Sequence, residues 1–384
     1  MAGSPAHTPP STGAEAGVGI AYDLQAYSFS PHGGIARIFD ELFAVIEHGG
    51  SPWRAYLYLQ HPLQRVPAVG RNVRFHPDGM AAHPLLRRFP LLRKLADPLL
   101  APRRRRLNLR LFHPTFYPAT HPFPSLPSIV NVYDLVHELI DRPDNMPDPS
   151  GFLAVKKRWI EQAARIICIS EATANDLMSY YHVPRERIDV IHLGYSRTFR
   201  HKPETPPATK PFVLYVGSRQ RYKNFHRLIA AYGRWNQRDA YDLYVVGSPA
   251  SQEDRLSLDL AGNPAGVTFI GAPSDEELCT LYNQAAGFVY PSLKEGFGIP
   301  VLEAMACRCP MLLSDIPVFR EVAGSLAHYM DPMDVDSMTG GLDRLVATGR
   351  TEILPETQTR ATLDRFSWDR CSREILSVYE KVLA

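Results

Sequence analysis

The chain has 384 residues, 45% of them apolar and 21% charged, with a formal net charge of +2. That length exceeds what one hydrophobic core ordinarily fills, and the composition is that of a folded protein, so two domains are expected. Near-neutral charge gives no reason to expect nucleic acid as a partner, and no run of about 18 apolar residues suggests a spanning helix.

Residues 1–16 hold no Lys or Arg and are rich in Pro, Ser, Gly and Ala. They read as a disordered lead-in, with neither the charged nor the apolar region of a secretory signal. A first α/β domain is expected over 17–200. Residues 18–22 read as a strand and 35–47 as a helix, separated by His32-Gly33-Gly34-Ile-Ala-Arg37. From Leu85 to Arg110 the chain carries eight Arg and one Lys against one Asp, with Leu pairs between them. Pro90, Pro98 and Pro102 rule out one long helix there. Two readings stay open for this stretch: a patch resting on an anionic membrane surface, or a solvated excursion. Short buried strands follow at 129–132 and 166–169, then a helix at 171–181 with Ser170 as a good N-cap, and a strand at 188–192.

Residues 201–211 are Pro-rich and polar and form the clearest linker. The alternation then restarts in a second domain over 212–365. Strands are expected at 212–216, 242–246, 267–270 and 287–290, and helices at 225–235 and 300–306. Ser274 and Glu277 have capping-box spacing. Two blocks of strand–helix alternation predict two doubly wound, Rossmann-like parallel sheets facing across a cleft, where ligands collect beyond the carboxyl ends of strands. Asp334-Val-Asp336 has the look of a metal motif, but it follows no strand in mid-domain, and helix capping explains it better. The five cysteines, Cys168, Cys279, Cys307, Cys309 and Cys371, are scattered and odd in number, which argues against a disulfide framework and fits a reducing cytoplasm. Cys307 and Cys309 lack a nearby second ligand pair and read as small buried residues.

The chemistry gathers in Tyr290-Pro-Ser-Leu-Lys-Glu295-Gly-Phe-Gly298-Ile-Pro-Val-Leu-Glu303. A strand ends, a Gly-x-Gly loop follows, and Pro300 marks a first helical turn. Free amides at such a helix start suit an anion. Glu303 is placed for paired ribose hydroxyls, and Glu295 for whatever lies beyond the phosphates. A Glu near a helix start is also favoured by the macrodipole alone.

This Glu-x7-Glu segment resembles the signature of glycosyltransferase family 4, retaining enzymes with the GT-B fold, and the likeness runs from about residue 18 to the C-terminus. The resemblance implies that Glu295 contacts donor-sugar hydroxyls and Glu303 the nucleotide ribose, with Gly296, Phe297, Gly298 and Ile299 lining the donor site. Tyr215-Val-Gly217-Ser-Arg219-Gln-Arg221-Tyr-Lys223-Asn224 resembles the family's basic loop, which implies that Arg219 and Lys223 clamp the donor diphosphate near Gly217. Arg221 competes with Arg219 for that role. Gly33 and Gly34 resemble the family's Gly-Gly loop. Tyr133-Asp134-Leu-Val-His137-Glu138 resembles its His-Asp element in two registers, so Asp134 and His137 are both named. Residues 366–384 resemble the closing helix that crosses back to the first domain.

The expectation is therefore a cytoplasmic hexosyltransferase with no cofactor and no catalytic metal. It would move a mannosyl unit from GDP-mannose, or a sugar from a UDP donor, to a saccharide or lipid-linked saccharide in cell-surface polysaccharide assembly. A nucleotide-sugar epimerase, an inactive donor-binding subunit and a membrane-bound assembly factor are the rival readings.

Overall fold

The computed structural model describes residues 17–30, 33–48, 51–58, 63–76, 107–140, 151–348 and 354–384. The lead-in 1–16, His32 and most of the basic stretch 85–110 lie outside these residues. The chain divides into two compact units: 1–130 with 162–165 and 376–384, and 131–161 with 166–375.

The first unit is built on a parallel sheet of order β3-β2-β1-β4, with β1 (Val18–Asp23), β2 (Trp53–Tyr58), β3 (Val73–Phe75) and β4 (Leu109–Phe112). β1 is buried along nearly its whole length, as expected of an interior strand of a parallel sheet. Helix Gly34–His48 covers it, burying Ala36, Phe39, Phe43 and Ile46 at helical spacing. Tyr22 meets Phe43 edge-on at 5.0 Å. Tyr379 is fully buried in this unit; its hydroxyl lies 3.0 Å from that of Tyr22 and 2.6 Å from His113 Nδ1. Asp23 closes β1, taking bonds at 2.6 Å from both the amide and the hydroxyl of Thr115.

A three-stranded sheet, β5 (Ile129–Val132), β6 (Arg165–Cys168) and β7 (Ile188–Val190), has most of its residues in the second unit. The largest sheet lies wholly there, in the order β10-β9-β8-β11-β12-β13. Its strands are β8 (Phe212–Val216), β9 (Asp242–Val246), β10 (Val267–Ile270), β11 (Gly287–Tyr290), β12 (Met311–Ser314) and β13 (His328–Met330), and all pairs are parallel. Numbered within the unit, this is the 3-2-1-4-5-6 order of a doubly wound fold, whose switch point falls between β8 and β11. Helix Phe225–Arg234 buries Leu228, Ile229 and Tyr232 and packs beside helix Val335–Ala347.

The expected strands and helices all form, most within a residue or two of their expected ends. The helix expected to 235 stops at Arg234, because Trp235 turns extended with its indole on Asp343. The strand expected to 192 ends at Val190. Ser274 and Glu277 complete a capping box, Ser170 caps Glu171–Tyr181, and Asp334 caps its helix through the Asp336 amide. Residues 201–211 carry no helix or strand and are fastened to helix Asp275–Gln284, where Asn283 takes the Lys202 amide and Gln284 bonds the Pro206 carbonyl. All five cysteines are buried, and none forms a disulfide.

Candidate active site

Two loops leave the sheet at its switch point. The first follows β8. Gly217 takes a left-handed φ of 140°, and a 3₁₀ turn, Arg221–Lys223, delivers the lysine inward. Asn224 then adopts a left-handed φ of 59°, which Asn tolerates better than most residues. Its side-chain amide donates to the carbonyls of Pro291 and Pro332 at 3.0 and 2.6 Å. The second loop, 291–298, follows β11 and is tied to the first where the Leu293 amide donates to Tyr222 at 2.7 Å.

These ties bring Lys223 and Glu295 together. The Lys223 ammonium donates to Glu295 Oε1 at 2.6 Å and to the Tyr290 hydroxyl at 2.9 Å, between the rings of Tyr222 and Tyr290. The two charged side chains are only 11% and 10% exposed. Burial, the largest single influence, would lower the lysine pKa; Glu295, Tyr290 and Tyr222 together outweigh it, and the net shift is well upward. The ammonium therefore stays charged, which a cation serving a diphosphate requires.

Gly298 precedes helix Ile299–Ala306 with a left-handed φ of 102°, and Pro300 sits in its first turn. Glu303 lies one turn in and accepts the Tyr282 hydroxyl at 3.2 Å. Burial pushes its pKa up to about 7, Tyr282 opposes the rise, and Asp275 adds to it. Gly296 has no room for a side chain, since a Cβ there would fall 1.8 Å from the Tyr133 carbonyl oxygen. Its own carbonyl accepts from Ser170 Oγ at 2.7 Å and Thr173 Oγ1 at 3.2 Å. Phe297 is buried.

Of the two registers considered, residues 133–134 are the ones that abut the acidic loop: a Cβ on Gly296 would also meet Asp134 Cβ at 3.2 Å. Asp134 Oδ1 accepts the Val136 amide. His137 is exposed and faces the Phe152 ring. Arg219 bonds other groups through Nε and Nη2 and leaves its buried Nη1 without a hydrogen-bond partner. Its guanidinium, 5% exposed, bonds Asp254 at 2.8 Å and the carbonyls of Ser248 and Pro249, so it braces the loops after β8 and β9. Arg221 is exposed. Gly33 and Gly34 belong to the first unit, where the Gly33 amide bonds Ser30 and Gly34 opens its helix.

Sequence reasoning missed a second buried pair. Lys156 bonds Glu138 at 2.7 Å with 3% and 0% exposure, and it also donates to the Asp134 carbonyl at 2.7 Å. Nothing local marks it, because Lys156 sits in an otherwise ordinary amphipathic helix. A cavity of about 100 Å³ opens beside Glu295, lined also by Asn175, Asp176, Lys294 and Pro317. Among the described residues, no three His, Cys, Asp or Glu side chains are grouped as metal ligands.

Two α/β units built on parallel sheets, with the larger sheet in 3-2-1-4-5-6 order, define the GT-B fold. The fold likeness is extensive: Anabaena HepE in complex with UDP and glucose superposes with a TM-score of 0.71 at 16% identity, over 95% of this chain and 100% of that one. Residues 196–362 match the family described as glycosyl transferases group 1, and residues 66–199 match glycosyltransferase family 4. Between them the two matches make residues 66–362 similar to glycosyltransferase family 4. It is 29% identical over 234 residues to the O-antigen chain mannosyltransferase B of Escherichia coli, covering 58% of this chain and 61% of that protein. Against the O-antigen chain mannosyltransferase RfbU of Salmonella typhimurium it is 30% identical over 244 residues, covering 62% and 65%. The match thus spans less than two thirds of these relatives.

Proposed function

We propose that the protein is a retaining hexosyltransferase that moves a mannosyl unit from GDP-mannose to a saccharide or lipid-linked saccharide in cell-surface polysaccharide assembly. The observation that carries the reading is the buried Lys223–Glu295 pair at the switch point, with Glu303 one helical turn beyond it. The two O-antigen mannosyltransferases support mannose as the sugar, and UDP in the HepE structure keeps a UDP donor as the competing choice.

In this reading the donor diphosphate takes over the Lys223 ammonium, and Glu295 turns to the sugar hydroxyls. Glu303 accepts the ribose hydroxyls, and the amide of Ile299 meets the phosphate. The bond from the anomeric carbon to the β-phosphate oxygen breaks as the acceptor oxygen bonds to the same face. The acceptor proton passes to the leaving phosphate. The transition state has oxocarbenium character, and stabilising the departing diphosphate is the largest task. We assign that task to Lys223 rather than to a metal ion, and Arg219 to support of its loop. Asp134, beside Gly296, borders the transferred sugar. Among the described residues no helix is long and apolar enough to cross a membrane. Peripheral attachment through the basic stretch 85–110 is part of this proposal.

The test is GDP release from GDP-mannose over a panel of saccharide acceptors. Release should depend on acceptor and fall by about 100-fold or more in Glu295→Ala and Lys223→Ala, as expected when a preorganised charge is removed. Full turnover by either variant would refute the reading.

A further inference from the structure

Glu295 works only if loop 291–298 holds still, and beside its ties to Tyr222, Asn224 and Asp176 the loop is held right next to Glu295. That hold is on the Gly296 carbonyl, gripped by Ser170 and Thr173 at the start of helix Glu171–Tyr181. That helix start is itself gripped from outside. Glu321, on helix Pro317–Ala323, accepts the amides of Glu171 and Ala172 at 2.8 and 3.0 Å. His192 Nε2 lies 2.7 Å from the same carboxylate. The His192 ring in turn sits 6.0 Å from that of Phe297 and 5.4 Å from that of Phe366.

We propose that Glu321 and His192 are positioning residues for the donor-sugar carboxylate, setting Glu295 by clamping the helix start that holds Gly296 while His192 supports Phe297. The proposal rests on the reading of Glu295 as the group that meets the sugar. Glu321 supplies a full charge where a capping side chain would give one bond, and a helix amino end favours an anion there. Its carboxyl lies below the usual range: burial alone would raise it, but the bonds from His192 and the two amides prevail. Four segments far apart in sequence thereby meet, around 170–173, 192, 296–297 and 321. A displacement at Glu321 reaches Glu295 through one helix turn and two hydrogen bonds, while the bonds of Lys223 to Tyr290 and of Glu303 to Tyr282 do not run through that helix start.

The experiment reads the slow hydrolysis of GDP-mannose to GDP and mannose, with water in the acceptor's place, beside calorimetric binding of GDP alone. His192→Phe keeps a ring against Phe297 but loses the bond to Glu321, and Glu321→Gln removes the charge. Each should lower kcat by about 10- to 100-fold, as sub-ångström misplacement of a catalytic group does, with GDP affinity unchanged within about twofold. His192→Gln restores a donor at the Nε2 position and should recover most of kcat. Trp235→Phe, in the core of the large sheet, controls for stability: it should lower Tm without lowering kcat. The proposal is overturned if His192→Phe and Glu321→Gln both retain kcat, if His192→Gln fails to recover it, or if Trp235→Phe loses kcat in step with Tm. Glu295→Ala separates the two levels. Its full activity would defeat the underlying reading, whereas its inactivity beside unaffected clamp variants would defeat the clamp alone.

Discussion

Glu303 carries a carboxyl with a pKa of about 7 in the folded chain against 4.5 for a free one, because burial penalises its charge. Two consequences follow at this scale. Ionising Glu303 costs the folded state, so the penalty develops as pH rises from about 4.5 and is complete above about 7. Glu303→Gln, which cannot ionise, should therefore gain Tm over the parent as pH is raised from 5 to 8, in a pH-stepped melt. Ribose binding runs the other way. If Glu303 meets the ribose as proposed, its ionised carboxylate accepts two hydroxyls, so GDP affinity should rise between pH 6 and 8 by up to about tenfold, and a 2′,3′-dideoxy nucleotide should lose that slope. Gly296 admits no side chain. Gly296→Ala would press a methyl against the Tyr133 carbonyl oxygen, and a shift of the loop by about 1 Å should cost about 100-fold in turnover.

Elements hold these residues, and the buried Lys156–Glu138 pair shows how. It joins helix Phe152–Gln162 to the segment 134–138, and Tyr181 adds a bond to Glu138 at 3.0 Å. Lys156→Met should lower stability by about 3–5 kcal/mol, since it strands a buried carboxylate, while the double change with Glu138→Met should recover much of the loss. Chemical denaturation of the three proteins checks this. Elements with a strong local signal were legible in advance. β8 and β11 are short apolar runs bounded by turn residues, and the helix starts at Ser170, Ser274 and Asp334 carry capping side chains. β2, β3, β4, β12 and β13 were not named from the sequence. Trp53–Tyr58 mixes Arg and Tyr into its apolar run, and β3 and β13 are only three residues long, too short for a period to show.

At the scale of the whole molecule, Lys223, Glu295 and Glu303 all belong to the second unit, at the switch point of a six-stranded parallel sheet. A ligand bound there stabilises the fold by mass action. GDP at about 100 times its Kd should add about 2.7 kcal/mol, or roughly 5–10 °C in Tm for a unit of this size, with UDP giving less; a thermal-shift panel reads both. The sequence by itself determined the two α/β blocks, most of the elements that form the site, and the identity of the two glutamates and the lysine, because strand runs, caps and the Gly-x-Gly turn are written in neighbouring residues. Tertiary structure alone decided which side chains meet. Lys223 and Glu295 are 72 residues apart, Ser170 and Gly296 are 126, and His192 and Glu321 are 129. It also paired Arg219 with Asp254 and put residues 133–134 against the acidic loop. The physical reason is that a buried hydrogen bond needs a partner in space and none nearby in the chain, so such pairings leave no periodic trace in the sequence.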